Sequence, residues 1–228
     1  MNQLNDNLYH LSIEQLCQLV TKHFPIFNYD FKKHVILLKD DDHNTIGTVR
    51  LPLHFMIDDK LKIISNSANI LYASIESGYA AINMMQGQDS VYHTTFGAYT
   101  TRKKQGFSQV KYLNKKGKSR AGSRVRLASK LEFFEKINES LTDLLITYDI
   151  DRFALNCSTS LIPYLHQSKV KCPFEKTDLR LYKIPLHIQQ SNFTNLEAAI
   201  KKLKAPILSY EDKNRELMKP FNQHIINS

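Results

Sequence analysis

Four residues near the middle of the chain, Gly106-Phe107-Ser108-Gln109, stand inside a run of cations, and their types admit only certain chemistry. The stretch 100–126, TTRKKQGFSQVKYLNKKGKSRAGSRVR, holds ten Lys or Arg, three Gly and no Asp, Glu, His or Cys. It therefore offers no conventional general base and no thiol nucleophile. What it offers is the Gln109 amide, an N–H donor, next to Gly106, with Gly117 and Gly122 further along. Glycines lower the cost of unusual backbone angles and let the main chain approach a ligand closely. A preorganised donor aimed at developing negative charge contributes on the order of 3–4 kcal/mol in a transition state. That chemistry suits a substrate already activated, such as an ester carried on RNA, for which the protein need only place or exclude water and hold the charge.

Other catalytic arrangements are poorly supported. NKKGKS at 114–119 contains Gly-Lys-Ser, but it lacks the first glycine of a phosphate-binding loop and follows no strand. Asp40, Asp41, Asp42 and His43 are adjacent; carboxylates on a turn point in different directions, so a solvated hairpin turn is the reading and no metal is expected. Nine histidines are scattered without ligand spacing, and no cofactor is expected. Cys17, Cys157 and Cys172 are far apart and odd in number, which fits a reducing cytosol and no disulfide framework.

Charge is unevenly spread. The chain has 31 Lys and Arg against 22 Asp and Glu over 228 residues, a formal +9. Eleven of those cations fall in an acid-free window, Ser90–Leu131, leaving 20 basic against 22 acidic residues elsewhere. A near-neutral body with one concentrated cationic segment calls for a polyanion, a nucleic acid or an acidic membrane. The segment is poor in bulky apolar residues, which argues against an interfacial helix, and no apolar run is long enough to cross a bilayer. The N-terminus lacks a basic start followed by an apolar stretch, so no secretory signal is expected.

The elements that would position the segment follow from periodicity. Ser12 and Gln15 have capping-box spacing before a helix over 12–23 with Ile13, Leu16, Leu19 and Val20 on one face. Strands are expected at 34–38, 45–51, 61–65, 69–74 and 152–156, and a hairpin over 79–99 turning at Gly87. The basic segment leaves that hairpin as a loop of roughly 20 residues, long enough to be functional or disordered. It returns into a helix at about 126–147, where Leu131, Phe134, Ile137, Leu141, Leu144 and Leu145 share a face. A short helix at 158–166, a strand at 179–184 and a helix capped by Thr194 and Glu197 complete the pattern. Strands alternating with helices predict an α/β fold, a mixed β-sheet with helices on both faces. Residues 1–65 are expected as a helix plus strands packed on a main domain at 66–208, and 209–228 as a loosely packed polar tail.

One stretch carries a resemblance. HTTFGAYTTRKKQGFSQ followed by KSRAGSRVR resembles the signature of the Vms-like release factors, of the type H-x-x-F-x-x-Y-T-x-R-x-K-x-G-x-x-Q, then a basic linker and a helix start. His93, Phe96, Tyr99, Thr100, Arg102, Lys104, Gly106 and Gln109 fall at matching places, and Ala121-Gly122-Ser123 with Arg126 continue the match. SGYAAI at 77–82 and FTNLEAAIKKL at 193–203 resemble the family's preceding strand and final helix, so the resemblance covers about residues 65–208. The chain departs from the pattern at Phe107, where the family has a small residue, and at Leu127, Ser129 and Lys130 after the helix start. The bulky Phe107 ring either stacks on a base or anchors the loop against the domain.

The resemblance implies a fold like the middle domain of class I eukaryotic and archaeal peptide release factors, with a long basic catalytic loop between a strand and a helix. It implies an enzyme acting on peptidyl-tRNA at the large ribosomal subunit, by ester hydrolysis or by cutting the tRNA near its 3′ CCA end. Gln109 and Gly106 would be catalytic. Arg102, Lys103 and Lys104 before the tip, and Lys111, Lys115, Lys116, Lys118, Arg120, Arg124 and Arg126 after it, would hold phosphates of tRNA and ribosomal RNA. A cytoplasmic monomer without cofactor, metal or membrane is the corresponding expectation. The alternative is a non-catalytic ribosome- or tRNA-binding factor anchored by the same loop.

Overall fold

The computed structural model describes residues 3–98 and 118–222, with side chains omitted for 118–130 and 222. Gly106, Gln109, Arg102, Lys103, Lys104, Lys111, Lys115 and Lys116, and with them the expected loop, lie outside the described residues.

Two five-stranded sheets organise the molecule. The first contains β1 (Gln3–Asn7), β2 (Phe27–Asp30), β3 (Val35–Lys39), β4 (Thr45–Arg50) and β12 (Ile207–Glu211), in the order β1-β12-β4-β3-β2 and antiparallel throughout. One face packs on α1 (Ile13–His23), through Leu16, Val20, Ile36, Leu38, Val49 and Leu208. Ser12 caps α1 as expected: its Oγ accepts the Gln15 amide at 3.2 Å and the Gln15 side chain accepts the Ser12 amide at 2.9 Å. The DDDHN turn between β3 and β4 uses Asp40 internally, its carboxylate accepting the Asn44 amide at 2.8 Å.

The C-terminal segment corrects an expectation. β12 lies between β1 and β4 instead of belonging to a tail, and a 3-10 segment (Asp212–Met218) leads into a helical turn, Lys219–Asn222. Met218 and Phe221 are fully buried, and Phe221 stacks on Phe24 with centroids 5.4 Å apart. Polar composition hides this because few described residues of the stretch enter the core, namely Tyr210, Met218 and Phe221. The polar strand β1, QLNDN, and β2 have no counterpart among the expected strands either. β1 is held by pairing with β12 over five residues, not by its own propensity.

The second sheet contains β7 (Asn69–Glu76), β8 (Tyr79–Gln86), β9 (Asp89–Gly97), β10 (Arg152–Cys157) and β11 (Leu181–Lys183), in the order β11-β10-β7-β8-β9. β5 (Met56–Ile57) and β6 (Ile63–Ser65) form a small ribbon before it. β10 runs parallel to both β7 and β11, while β7-β8-β9 is an antiparallel meander, so the sheet is mixed. Both faces are covered. Leu71, Ala73 and Ile75 face α2 (Lys118–Thr147), and Ile70 and Tyr72 face α4 (Phe193–Leu203). A strand covered on both sides reads as a continuous apolar run, as ILYASI does. The mixed α/β architecture with helices on both faces is the one expected.

Boundaries shift in detail. α2 begins at Lys118, a full two turns before position 126, so Lys118, Arg120, Arg124 and Arg126 belong to its helical path instead of the loop. Its buried stripe is Phe133, Phe134, Ile137, Leu141 and Leu144, each contributing roughly 1.5–3 kcal/mol by burial; Leu131 is 38% exposed and lies off it. The short helix α3 is Ile162–Gln167, and α4 is capped by Asn192, not Thr194, the Asn192 side chain accepting the Asn195 amide at 2.8 Å.

Candidate functional site at the carboxyl end of the second sheet

The basic segment attaches to the second sheet at the end of β9. β9 ends with Gly97 opposite Tyr79, and the next amide, Ala98 N–H, donates to the Gly78 carbonyl at 2.8 Å. Gly78 has φ +94, a conformation that favours glycine and closes the tight β7–β8 turn. The outgoing limb is thus fixed to the turn that ends β7. The parallel strand β10 finishes beside it, Cys157 opposite Ile75. Root of the segment, carboxyl ends of two parallel strands and the approach to α4 therefore share one end of the sheet, where open α/β sheets commonly place ligands.

Hydrogen bonds make this end rigid. Asn156 Nδ2 donates to Ser74 Oγ at 2.9 Å, and Ser74 Oγ lies 2.8 Å from Ser191 Oγ. The Ser191 amide donates to Glu76 Oε1 at 2.5 Å. Ser74 and Ser191 are buried, so these bonds satisfy groups that would otherwise cost about 1–3 kcal/mol each. Two residues of the sequence signature are described, and both are anchors. His93 packs its ring against Phe193 with centroids 4.3 Å apart, and Phe96 packs on the core beneath α2.

The returning limb is as firmly held. Asn138, fully buried on α2, directs Nδ2 at the Leu165 carbonyl (2.8 Å), Ser168 Oγ (2.9 Å) and the Val170 carbonyl (2.8 Å). At 30 residues α2 is about 45 Å long, against about 26 Å for the eight-residue β7. Its C-terminal end is tied beside the start of β7, since the Asp151 amide donates to the Asn69 carbonyl. Lys118 and Arg120 thus occupy the first turn of α2, which contains no acidic residue, while Arg124 and Arg126 lie further in than the sequence suggested. A helix N-terminus favours phosphate.

Conventional nucleophiles are weak here. Burial pushes the Cys157 thiol, at the end of β10, up to about 11, and Cys17 likewise to about 11, so neither forms a thiolate near neutral pH. Among the described residues no group of three His, Cys, Asp or Glu gathers to hold a metal. A groove of about 440 Å3 lies between β9 and α2, but Glu139 and Asp143 line it against a single cation, Lys136, which disfavours phosphate. The described frame therefore sets where the basic segment leaves β9 and where α2 begins. The sequence missed Ser74, Asn156, Ser191 and Asn138. Their partners are far along the chain, and only strand register and helix packing bring them together.

Comparison with known proteins adds the following. A family model described as the Bacteroidetes VLRF1 release factor matches residues 70–210, from β7 into β12. It spans both limbs of the basic segment and everything between them. A solved structure titled "Vms1 mitochondrial localization core" superposes with a TM-score of 0.45 at 13% identity, covering 88% of this chain and 95% of that one. No functionally curated protein matches the sequence.

Proposed function

Because this chain belongs to the Bacteroidetes VLRF1 release factor family, we propose that it frees nascent chains from peptidyl-tRNA on stalled large ribosomal subunits, with Gln109 as the catalytic residue. A release-factor role, and the ribosome association that goes with it, comes with the family. The observation that supports the finer reading is that the acid-free segment carrying Gly106 and Gln109 lies within the bounds of the family match, residues 70–210.

In this reading Gly106 lets the tip enter a narrow RNA-walled centre. Gln109 then donates an amide N–H to the charge that develops on the reacting group. In ester hydrolysis a water oxygen attacks the carbonyl carbon, the bond to the ribose oxygen breaks, and a proton passes to that oxygen, leaving free peptide and intact tRNA. In the other chemistry the adjacent ribose 2′-hydroxyl or a water oxygen attacks the phosphorus of a phosphodiester near the CCA end, the bond to the 5′ oxygen of the next nucleotide breaks, that oxygen takes the nucleophile's proton, and the peptide leaves with the terminal nucleotides. Arg102, Lys103 and Lys104, with Lys111, Lys115, Lys116, Lys118, Arg120, Arg124 and Arg126, hold phosphates on either side of the tip. The frame of β9 and α2 sets the segment's two ends.

Incubation with purified large subunits carrying end-labelled peptidyl-tRNA tests the proposal. Peptide freed with a full-length tRNA 3′ end marks ester hydrolysis, and peptide freed with a shortened 3′ end marks tRNA cleavage. Binding to the subunit without either product would overturn the release reading in favour of a non-catalytic binding factor.

A further inference from the structure

The outer face of the first sheet, opposite α1, meets β11 in a groove of about 570 Å3. Among its lining residues Lys32, Lys33, Arg50 and Lys183 are basic, and none is Asp or Glu. Lys32, Lys33 and Lys183 are exposed at the rim, Lys33 with the Asp30 carboxylate 3.7 Å from its Nζ. Two lining residues hold donors with nothing to donate to. Tyr182 is only 1% exposed, and its hydroxyl has no hydrogen-bond partner. Arg50 directs Nη2 at the carbonyls of Lys202 (2.8 Å) and Ala205 (3.4 Å), yet its buried Nε is unpartnered. Behind them Arg152, fully buried, also has an unpartnered Nε and adds its charge to the field at Tyr182. Burial raises the Tyr182 phenol, which keeps it a donor.

Buried donors are ordinarily satisfied by protein, water or ligand. Unpartnered donors of one polarity, set among cations, are complementary to an anion rich in oxygen. We propose that this groove is a second phosphate-binding site, taking a nucleotide unit of an RNA strand. An RNA strand is favoured over a free nucleotide because Lys32 and Lys183 at the rim suit neighbouring phosphates that a mononucleotide lacks. The size agrees with one or two nucleotides, since pockets for small ligands run about 300–1,000 Å3. The groove lies at the β11 edge, whereas the basic segment leaves from β9, four strand spacings of about 4.8 Å away, or about 19 Å. The protein would therefore grip RNA at two separated places. RNA as the occupant rests on the release-factor reading, but the site is tested by binding alone, so it can fail while release stands, or stand while release fails.

The experiment measures fluorescence anisotropy of a labelled single-stranded RNA of about twelve nucleotides with the full chain at several salt concentrations. A Lys115→Glu/Lys116→Glu background reduces the contribution of the basic segment. Tyr182→Phe removes only the unpartnered hydroxyl. It is expected to weaken RNA binding by about three- to tenfold while the melting temperature stays level or rises. Lys32→Glu/Lys183→Glu, on the exposed rim, is expected to lower the slope of log affinity against log salt by roughly one to two. Affinities within twofold of the parent at every salt concentration would overturn the proposal. So would a loss of melting temperature in Tyr182→Phe, which would show that the hydroxyl has an internal partner. Saturable AMP binding that is lost in Tyr182→Phe, with RNA binding unchanged, would overturn RNA as the occupant.

Discussion

Replacing Asn138 by Asp tests how the returning limb of the basic segment is held. The change is isosteric, but it removes both N–H donors from a site where Nδ2 faces the carbonyls of Leu165 and Val170 and the Ser168 hydroxyl. Two buried bonds at about 1–3 kcal/mol each, with a carboxylate now facing carbonyl oxygens, give an expected loss of about 3–5 kcal/mol. At about 2–4 °C per kcal/mol for a chain of this size, the melting temperature should fall by roughly 6–20 °C. The sign of the pH dependence is fixed. Burial and facing carbonyls raise the new carboxyl above its unfolded value, so the share of the destabilisation due to its charge is absent below the unfolded pKa and grows as pH rises through the folded one, while the share due to lost bonds stays. The gap to the parent should therefore be narrower at pH 5 than at pH 7, as read by calorimetry at both. A drop under about 2 °C, or a gap that does not narrow on acidification, would refute the contact as described.

His34 gives a second pH test. It is fully buried, its Nε2 3.0 Å from the Pro52 carbonyl and its Nδ1 2.6 Å from the Tyr29 hydroxyl, and burial with the nearby Arg152 charge pushes its pKa down to about 3. The unfolded chain takes up this proton as pH falls below about 6.5 and the folded chain does not, so stability is lost on acidification. Between pH 7 and pH 5 the loss from this group is about 2 kcal/mol, and His34→Asn should abolish that share in denaturant titrations; an unchanged pH dependence would contradict it. Phe221→Ala should cost about 3–5 kcal/mol by urea unfolding, because the ring is fully buried against Phe24; a loss under about 1 kcal/mol would show that the C-terminal segment is not packed.

Much of the second sheet was legible because its signals are local. The turn at Gly87 has φ +60, and the periodicity of α2 matches its buried stripe from Phe134 onward. Beside the first sheet, the Ser12 cap of α1 is equally local, a four-residue motif. The first sheet was half legible. β1 and β12 are strands because each supplies the other's backbone partners across some 200 residues, and neither QLNDN nor ILSYE announces this. The start of α2 was hidden by Gly117 and Gly122, which read as loop residues. For the proposed catalytic tip, Gln109 and the cations around it rest on charge and motif spacing in the sequence alone. The Ser74–Ser191–Asn156 network and the donors beside the 570 Å3 groove were not legible there, because they arise only when distant strands align.

The central claim, that the Gln109 amide donates to the transition state, is tested most directly by single-turnover release of peptide from saturated large subunits with Gln109→Ala. The account predicts a rate lower by about a hundred- to a thousandfold, the size of one lost donor, with co-sedimentation on the subunit unchanged. Release by the variant at the parent rate would contradict it.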